Sequence, residues 1–181
     1  KKALRPETIF VSIMYVNNEI GTIQPIREIS KIIKNFKEGI VFHSDACQAA
    51  GFLDLDMEKL GLDLASFSGA KIYGPKGVGF LYKKEGINLE PIILGGGQER
   101  GFRSGTEPLG LIVGMAKALE LSRPKKEESE RLAKLRDYFV SEILEKIPGS
   151  VLNGHPARRL PANVSISFKG VDNEELVIRL D

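Results

Sequence analysis

The sequence predicts an α/β fold with a mainly parallel sheet. Three observations carry this. Short apolar, β-branched runs of strand length alternate with segments of helical period. The order strand, helix, strand over residues 8–44 is that of a parallel βαβ unit, which would be right-handed. Polar side chains suited to ligand binding collect where the predicted strands end, as open α/β sheets require.

Of the 181 residues, 42% are hydrophobic and 28% charged, the balance of a soluble globular chain with a sizeable core. The net charge of +2 gives no electrostatic case for nucleic acid or an anionic membrane surface as a partner. The single cysteine, Cys47, excludes an internal disulfide, and a reducing, cytoplasmic setting is expected. No apolar run reaches the length of a membrane span, and no signal peptide is visible. The chain opens without Met on Lys1-Lys2 and closes inside an apolar-periodic segment, residues 174–180, so a piece of a longer protein is expected.

Thr8 to Val16 (TIFVSIMYV) has no helical period and reads as a buried strand, ended by Asn17 and Asn18. Pro25 to Phe36 places Ile26, Ile29, Ile32 and Ile33 on one face of a helix, with Pro25 in its first turn and Gly39 as a stop. Ile40 to Ser44 is a second strand ending at Asp45. Leu62 to Ser68 and Gly77 to Lys83 are further strands, and Leu89 to Leu94 is one more candidate. Gly95 to Gly105 holds five of the 19 glycines and predicts a loop with unusual backbone angles. A helix follows from Glu107 to Leu121, interrupted by Pro124. A long amphipathic helix over Glu127 to Ile147 aligns Leu132, Leu135, Phe139, Ile143 and Ile147, and Pro148-Gly149 ends it. Val151-Leu152 and Asn163 to Phe168 read as strands of a separate small sheet. The charged run Arg123 to Arg131 marks a domain boundary, giving 1–122 and 123–181, although a solvated helix start explains the same charges.

Asn18, Asp45, Gln48, Ser68 and Lys71 all fall at predicted strand ends. They supply two amides, a carboxylate, a hydroxyl and an amine. That set fits a flat, polar, phosphorylated heterocycle. A carboxylate pairs with a protonated ring nitrogen, amides reach a ring oxygen, a hydroxyl holds phosphate, and a lysine condenses with an aldehyde. Composition and spacing alone leave the cofactor unnamed. Lys71 also reads as a surface lysine, and Gly74, Gly77 and Gly79 as residues that only turn the chain. A phosphate-binding loop of the GxxxxGK[ST] type is absent. No metal site is expected.

The stretch SFSGAKIYGPKGVGFLY around Lys71 resembles the pyridoxal phosphate (PLP) lysine motif of cysteine desulfurases of the NifS and IscS group. VSIMYVNNEIGTIQPI, FHSDACQAAG and GGGQERGFRSGTEP resemble three further segments of that family, in the family's order and near its spacing. The chain closes on PANVSISFKGVDNEELVIRL, which also follows the family. The resemblance implies the aminotransferase-like fold of PLP enzymes, fold type I, class V. The fragment would carry the later part of the large cofactor domain and the start of a small α+β C-terminal domain.

By position, the resemblance makes Lys71 the cofactor-binding lysine and catalytic base, and Asp45 the carboxylate on the pyridine nitrogen. Asn18 and Gln48 become the amides beside the ring hydroxyl, and Ser68 a phosphate ligand. Thr106 becomes a phosphate ligand contributed to the neighbouring subunit of a homodimer. Thr106 also reads as a helix N-cap ahead of Glu107-Pro108. The implied reaction converts L-cysteine to L-alanine and passes sulfur as a persulfide to an acceptor protein, for iron–sulfur cluster or thio-cofactor synthesis.

The chain departs from the family at Ala70, where the family has His. The family's sulfur-accepting cysteine is expected beyond Asp181, and its aromatic-stacking histidine and a phosphate-capping loop before Lys1. Cys47 reads as a small buried hydrophobe and not as that nucleophile. His43 reads as a strand residue near the site, and His155 as an exposed residue of a turn. Two other readings remain: a related PLP lyase such as a selenocysteine lyase, and a degenerate scaffold subunit.

Overall fold

The computed structural model describes residues 2–123 and 126–181. The chain divides into two compact units: Lys1–Tyr15 with Gln24–Pro124, and Val16–Ile23 with Lys125–Asp181. Pro124, where the sequence places a helix break, lies outside the described residues.

The first unit is built on a four-stranded sheet in the order β1 (Phe10–Ser12), β2 (Val41–Asp45), β3 (Leu64–Ser68), β4 (Gly79–Lys83). β1, β2 and β3 run parallel, and β4 is antiparallel to β3. Phe10 lies opposite Val41, Asp45 opposite Ser66, and Ser68 opposite Gly79. Helix α1 (Ile26–Phe36) connects β1 to β2 and buries Ile26, Ser30 and Ile33. The buried stripe therefore follows the i, i+4, i+7 spacing, and Ile32, expected on that face, is exposed. Ser30 takes its place because its hydroxyl donates to the Gly61 carbonyl at 2.8 Å. Gly61 itself is the left-handed cap of the short helix α2 (Met57–Leu60), which the sequence reading missed.

Phe42, Ile40, Leu62 and Ala65 form the middle of the core with the two buried isoleucines of α1. Asp63 is buried among them and has three partners. It accepts from the Phe42 amide at 2.9 Å, pairs with Lys34, and lies 3.9 Å from the Lys84 ammonium.

The Thr8–Val16 segment is shorter as a strand than expected, and it is an edge rather than a buried strand, with Phe10 50% exposed. It has one sheet neighbour, and beyond Ser12 only the Ile13 and Tyr15 amides continue the ladder, to His43 and Asp45 carbonyls. Leu89–Leu94 is not a strand. Pro91 removes a ladder donor and Ile92 is 97% exposed. The glycine-rich loop does need unusual angles. Glu99 and Arg100 join Gly95, Gly97, Gly101 and Gly105 at positive φ. Helix α3 (Leu109–Leu121) follows it.

The second unit holds helix α4 (Lys126–Lys146), a separate antiparallel pair β5 (Ser150–Leu152) and β6 (Ile166–Phe168), and helix α5 (Asn173–Leu180). α4 forms as predicted but buries no residue, and Leu135 is 57% exposed. Of its apolar stripe, Leu132 and Ile143 are half-buried, and the Ser150 hydroxyl donates to the Ile143 carbonyl at 3.2 Å. β6 starts three residues later than expected because Asn163 turns its side chain to another use, described below. Among the described residues, no helix is long and apolar enough to cross a membrane.

Candidate active site

β2 and β3 are adjacent parallel strands, so their carboxyl ends open on the same side of the sheet. Asp45 ends β2, and its Oδ1 accepts the Cys47 amide at 2.9 Å, which turns the chain sharply after the strand. Gln48 follows in that turn, half-buried. Ser68 ends β3 and leads into a 3₁₀ turn, Gly69–Ile72, that carries Lys71. The Lys71 ammonium is near enough to act on the Cys47 thiol. Asp45, Gln48, Ser68 and Lys71 are thus collected at one end of two neighbouring strands.

The 3₁₀ turn is locked by its surroundings. The Gly69 amide donates to the Val78 carbonyl at 3.0 Å and the Gly74 amide to the Gly69 carbonyl at 2.9 Å. A Cβ on Gly69 would meet the Pro75 carbonyl oxygen at 2.9 Å, and one on Gly74 the Gly69 carbonyl oxygen at 2.9 Å. Both glycines are therefore required by close backbone approach and do more than turn the chain. Tyr73 caps the turn in the left-handed region, φ 60°. From α3, the Ser122 hydroxyl donates to the Ile72 carbonyl at 3.1 Å. Lys71 itself is exposed, and its side chain has no hydrogen bond or ion pair among the described residues.

One layer behind Asp45, a polar rail crosses the three parallel strands. His43 Nδ1 lies 2.7 Å from the Ser12 hydroxyl and Nε2 lies 2.8 Å from the Ser66 hydroxyl. The Phe10 ring stacks on the imidazole at 6.0 Å. Burial lowers the His43 pKa, with Asp45 opposing it, so the ring is a neutral strand residue.

Cys47 is half-buried, and its thiol lies 3.7 Å from the Ser66 carbonyl. Burial, reinforced by a hydrogen bond and the charge of Asp45, pushes this thiol up from 9.0 to about 12. So small a thiolate fraction at neutral pH makes this thiol a poor nucleophile.

Thr106 lies in the glycine-rich loop with its side chain exposed. It is not a helix cap: α3 begins at Leu109 with Pro108 before it and has no side-chain cap. The loop is tied by the Gly105 amide donating to Gln98 Oε1 at 3.0 Å and the Gly97 amide to Ser104 Oγ at 3.2 Å.

Asn18 is described with the second unit. Its neighbour Asn17 holds the turn, accepting the Glu19 and Ile20 amides on Oδ1 at 3.0 and 2.9 Å. Asn18 is exposed and makes no hydrogen bond. His155 is half-buried rather than exposed, because its Nδ1 accepts the Ala157 and Arg158 amides at 3.1 and 2.9 Å. Sequence reasoning missed Arg159, which is buried in this turn region. An arginine following a histidine and proline in a polar stretch gives no sequence signal for burial.

The aminotransferase class V family profile matches residues 1–181. The chain is 49% identical over its full length to a cysteine desulfurase IscS of Dictyoglomus turgidum, covering 46% of that protein. It is 48% identical to cysteine desulfurase IscS 1 of Archaeoglobus fulgidus, covering 47%. The chain thus spans about half the length of the curated relatives it matches. Among solved structures, a NifS-like protein superposes with a TM-score of 0.88 over 97% of this chain and 48% of that one, at 40% identity. DndA of Streptomyces lividans superposes with a TM-score of 0.83 over 99% of this chain and 51% of that one, at 34% identity. The match of the family profile, together with these folds and sequences, leads to one conclusion: this chain belongs to the class V aminotransferase family.

Proposed function

We propose that the protein to which this chain belongs is a PLP-dependent cysteine desulfurase, with Lys71 as the cofactor-binding lysine. The observation that carries this reading is the donor set at the ends of β2 and β3. Asp45, Gln48, Ser68 and Lys71 supply a carboxylate, an amide, a hydroxyl and an amine at or just after those ends, and among the described residues the side chains of Gln48, Ser68 and Lys71 have no competing hydrogen bond or ion pair. Those groups match a phosphorylated pyridine aldehyde in chemistry and number. The glycine-tight turn beneath Lys71 supports the same reading, since it fixes the lysine backbone beside the strand ends.

PLP, when bound, supplies an electron sink for the substrate's α-carbon. The residues of this chain do the rest. Asp45 would hold the ring nitrogen's proton on its carboxylate, which the Cys47 amide orients through Oδ1. Lys71 anchors the cofactor's carbon and, once released, takes the substrate's α-proton at Nζ. Gln48 and Asn18 orient the ring oxygen. Ser68, and Thr106 given to a partner subunit of a homodimer, hold phosphate. The substrate is L-cysteine, and its sulfur passes to a thiolate and then to an acceptor protein in the cytoplasm. Cys47 does not furnish that thiolate.

The test is turnover of L-cysteine by the holoprotein with dithiothreitol present to reduce the persulfide, followed as alanine and sulfide released together. A Lys71→Ala protein should lose both, by at least about a thousandfold in kcat, because it loses covalent anchorage and the proton acceptor at once. Equal turnover by the Lys71→Ala protein would end the reading.

A further inference from the structure

Residues 16–23 leave the sheet-bearing unit after Tyr15, return to it at Gln24, and are described with residues 125–181. Asn18 sits on this excursion.

The excursion is held along its length by a single stretch of the second unit. Asn163 Nδ2 donates to the Glu19 carbonyl at 3.2 Å, and Arg159 NH2 to the Ile20 carbonyl at 3.2 Å. The Leu160 amide donates to the Gly21 carbonyl at 2.9 Å, and the His155 amide to the Thr22 hydroxyl at 2.9 Å. The Ile23 amide donates to the Arg158 carbonyl at 2.9 Å. Each residue from Glu19 to Ile23 is thus bonded to the segment between His155 and Asn163. Among the described residues, the Asn18 side chain makes no hydrogen bond.

Arg159 is the unusual member of that segment. It is 4% exposed and has no carboxylate partner. Burial, and then the charge of Arg136, lower its pKa, with Asp137 opposing them. Its NH2 also lies 3.4 Å from Asn163 Oδ1, so it orients the amide that holds Glu19. Nε and NH1 have no partner among the described residues. A buried cation with a half-satisfied guanidinium is a poor way to stabilise a small unit, because an apolar side chain of that volume does so without the desolvation cost. What an apolar residue cannot do is grip the Ile20 carbonyl and aim Asn163 at the Glu19 carbonyl. Those two peptide groups immediately follow Asn18 in the chain.

We propose that Arg159 is a positioning residue for Asn18: it fixes the turn that presents the Asn18 amide to the ring oxygen of PLP. The proposal rests on the cofactor reading above.

The test uses the holoprotein and reads the visible band of lysine-bound PLP against pH, the rate of PLP dissociation, and the melting temperature. An amide donating to the ring oxygen favours that oxygen's negative form, so Asn18→Ala should raise the pH midpoint of the band. Arg159→Met should raise it in the same direction, by about 0.5 to 1 unit, and speed PLP loss several-fold. The double variant should shift no further than Asn18→Ala alone, because both act through one contact. A purely structural role would lower the melting temperature and leave the midpoint unmoved, and that outcome overturns the proposal. So would shifts that add in the double variant. Should Arg159→Met fail to fold, Asn163→Ala carries the same test: an upward midpoint supports the proposal and an unchanged one overturns it. A wild-type protein with no visible band would instead defeat the cofactor reading itself.

Discussion

Lys71 and Cys47 lie close together and have opposite chemical prospects. The lysine is exposed and unpartnered, on a turn fixed by glycines. The thiol is half-buried against Asp45 and is pushed up to about 12. At pH 8 so little of it is ionised that its alkylation by iodoacetamide should run roughly fifty to a hundredfold slower than that of a free cysteine, even after the rise of nucleophilicity with pKa. A second-order rate matching free cysteine would contradict this. The sign for stability follows from the same shift. The thiol's contribution is complete below pH 9 and is lost as pH rises towards 12. Ala70, beside Lys71, is exposed and has no group to hold a ring. Ala70→His should tighten PLP binding several-fold, read as the PLP concentration at half saturation. No gain would mean that the turn retains the cofactor without it. The places of Asp45 and Ser68 at strand ends were legible in the sequence, because each closes an apolar run, whereas the weight on Lys71 came from the family resemblance. Arg159 was not legible, because burial of an arginine depends on a partner segment 139 residues earlier in the chain.

At the scale of elements, helix α1 and strands β2 and β3 read cleanly, since each buries its own pattern. Where expectation failed, the missing information was a neighbour. The apolar Thr8–Val16 run looks buried in sequence, yet Phe10 faces an open edge. α4 has a helical apolar stripe of which Leu132 and Ile143 are half-buried while Leu135 and Phe139 stay exposed. Ser30 entered the core through a hydrogen bond that no local pattern announces. Two predictions belong here. Asp63→Ala would strand the buried Phe42 amide and leave Lys34 unpaired, and should cost about 3 kcal/mol in urea denaturation. The second concerns His43 in its rail between Ser12 and Ser66. Its lowered pKa means that the unfolded chain takes up a proton first as pH falls. Stability should therefore drop as pH falls below 6.5, and His43→Gln should flatten that slope in melting temperatures between pH 7 and 5. An unchanged slope would show that His43 is not the group responsible.

For the whole molecule, Asp45, Gln48, Ser68 and Lys71 lie in one compact unit, and Asn18 belongs to the other. The chain matches about half the length of its curated relatives, and its one cysteine has no thiolate at neutral pH. The 181-residue chain alone should therefore release no alanine from L-cysteine above the rate of free PLP, measured by chromatography. The account as a whole depends on a covalent bond at one amine, and that bond is directly measurable. The holoprotein is reduced with borohydride, digested, and its peptides mapped by mass spectrometry. The account predicts a single pyridoxyl phosphate adduct, on Lys71. An adduct on Lys76 or elsewhere, or none at all, would contradict it.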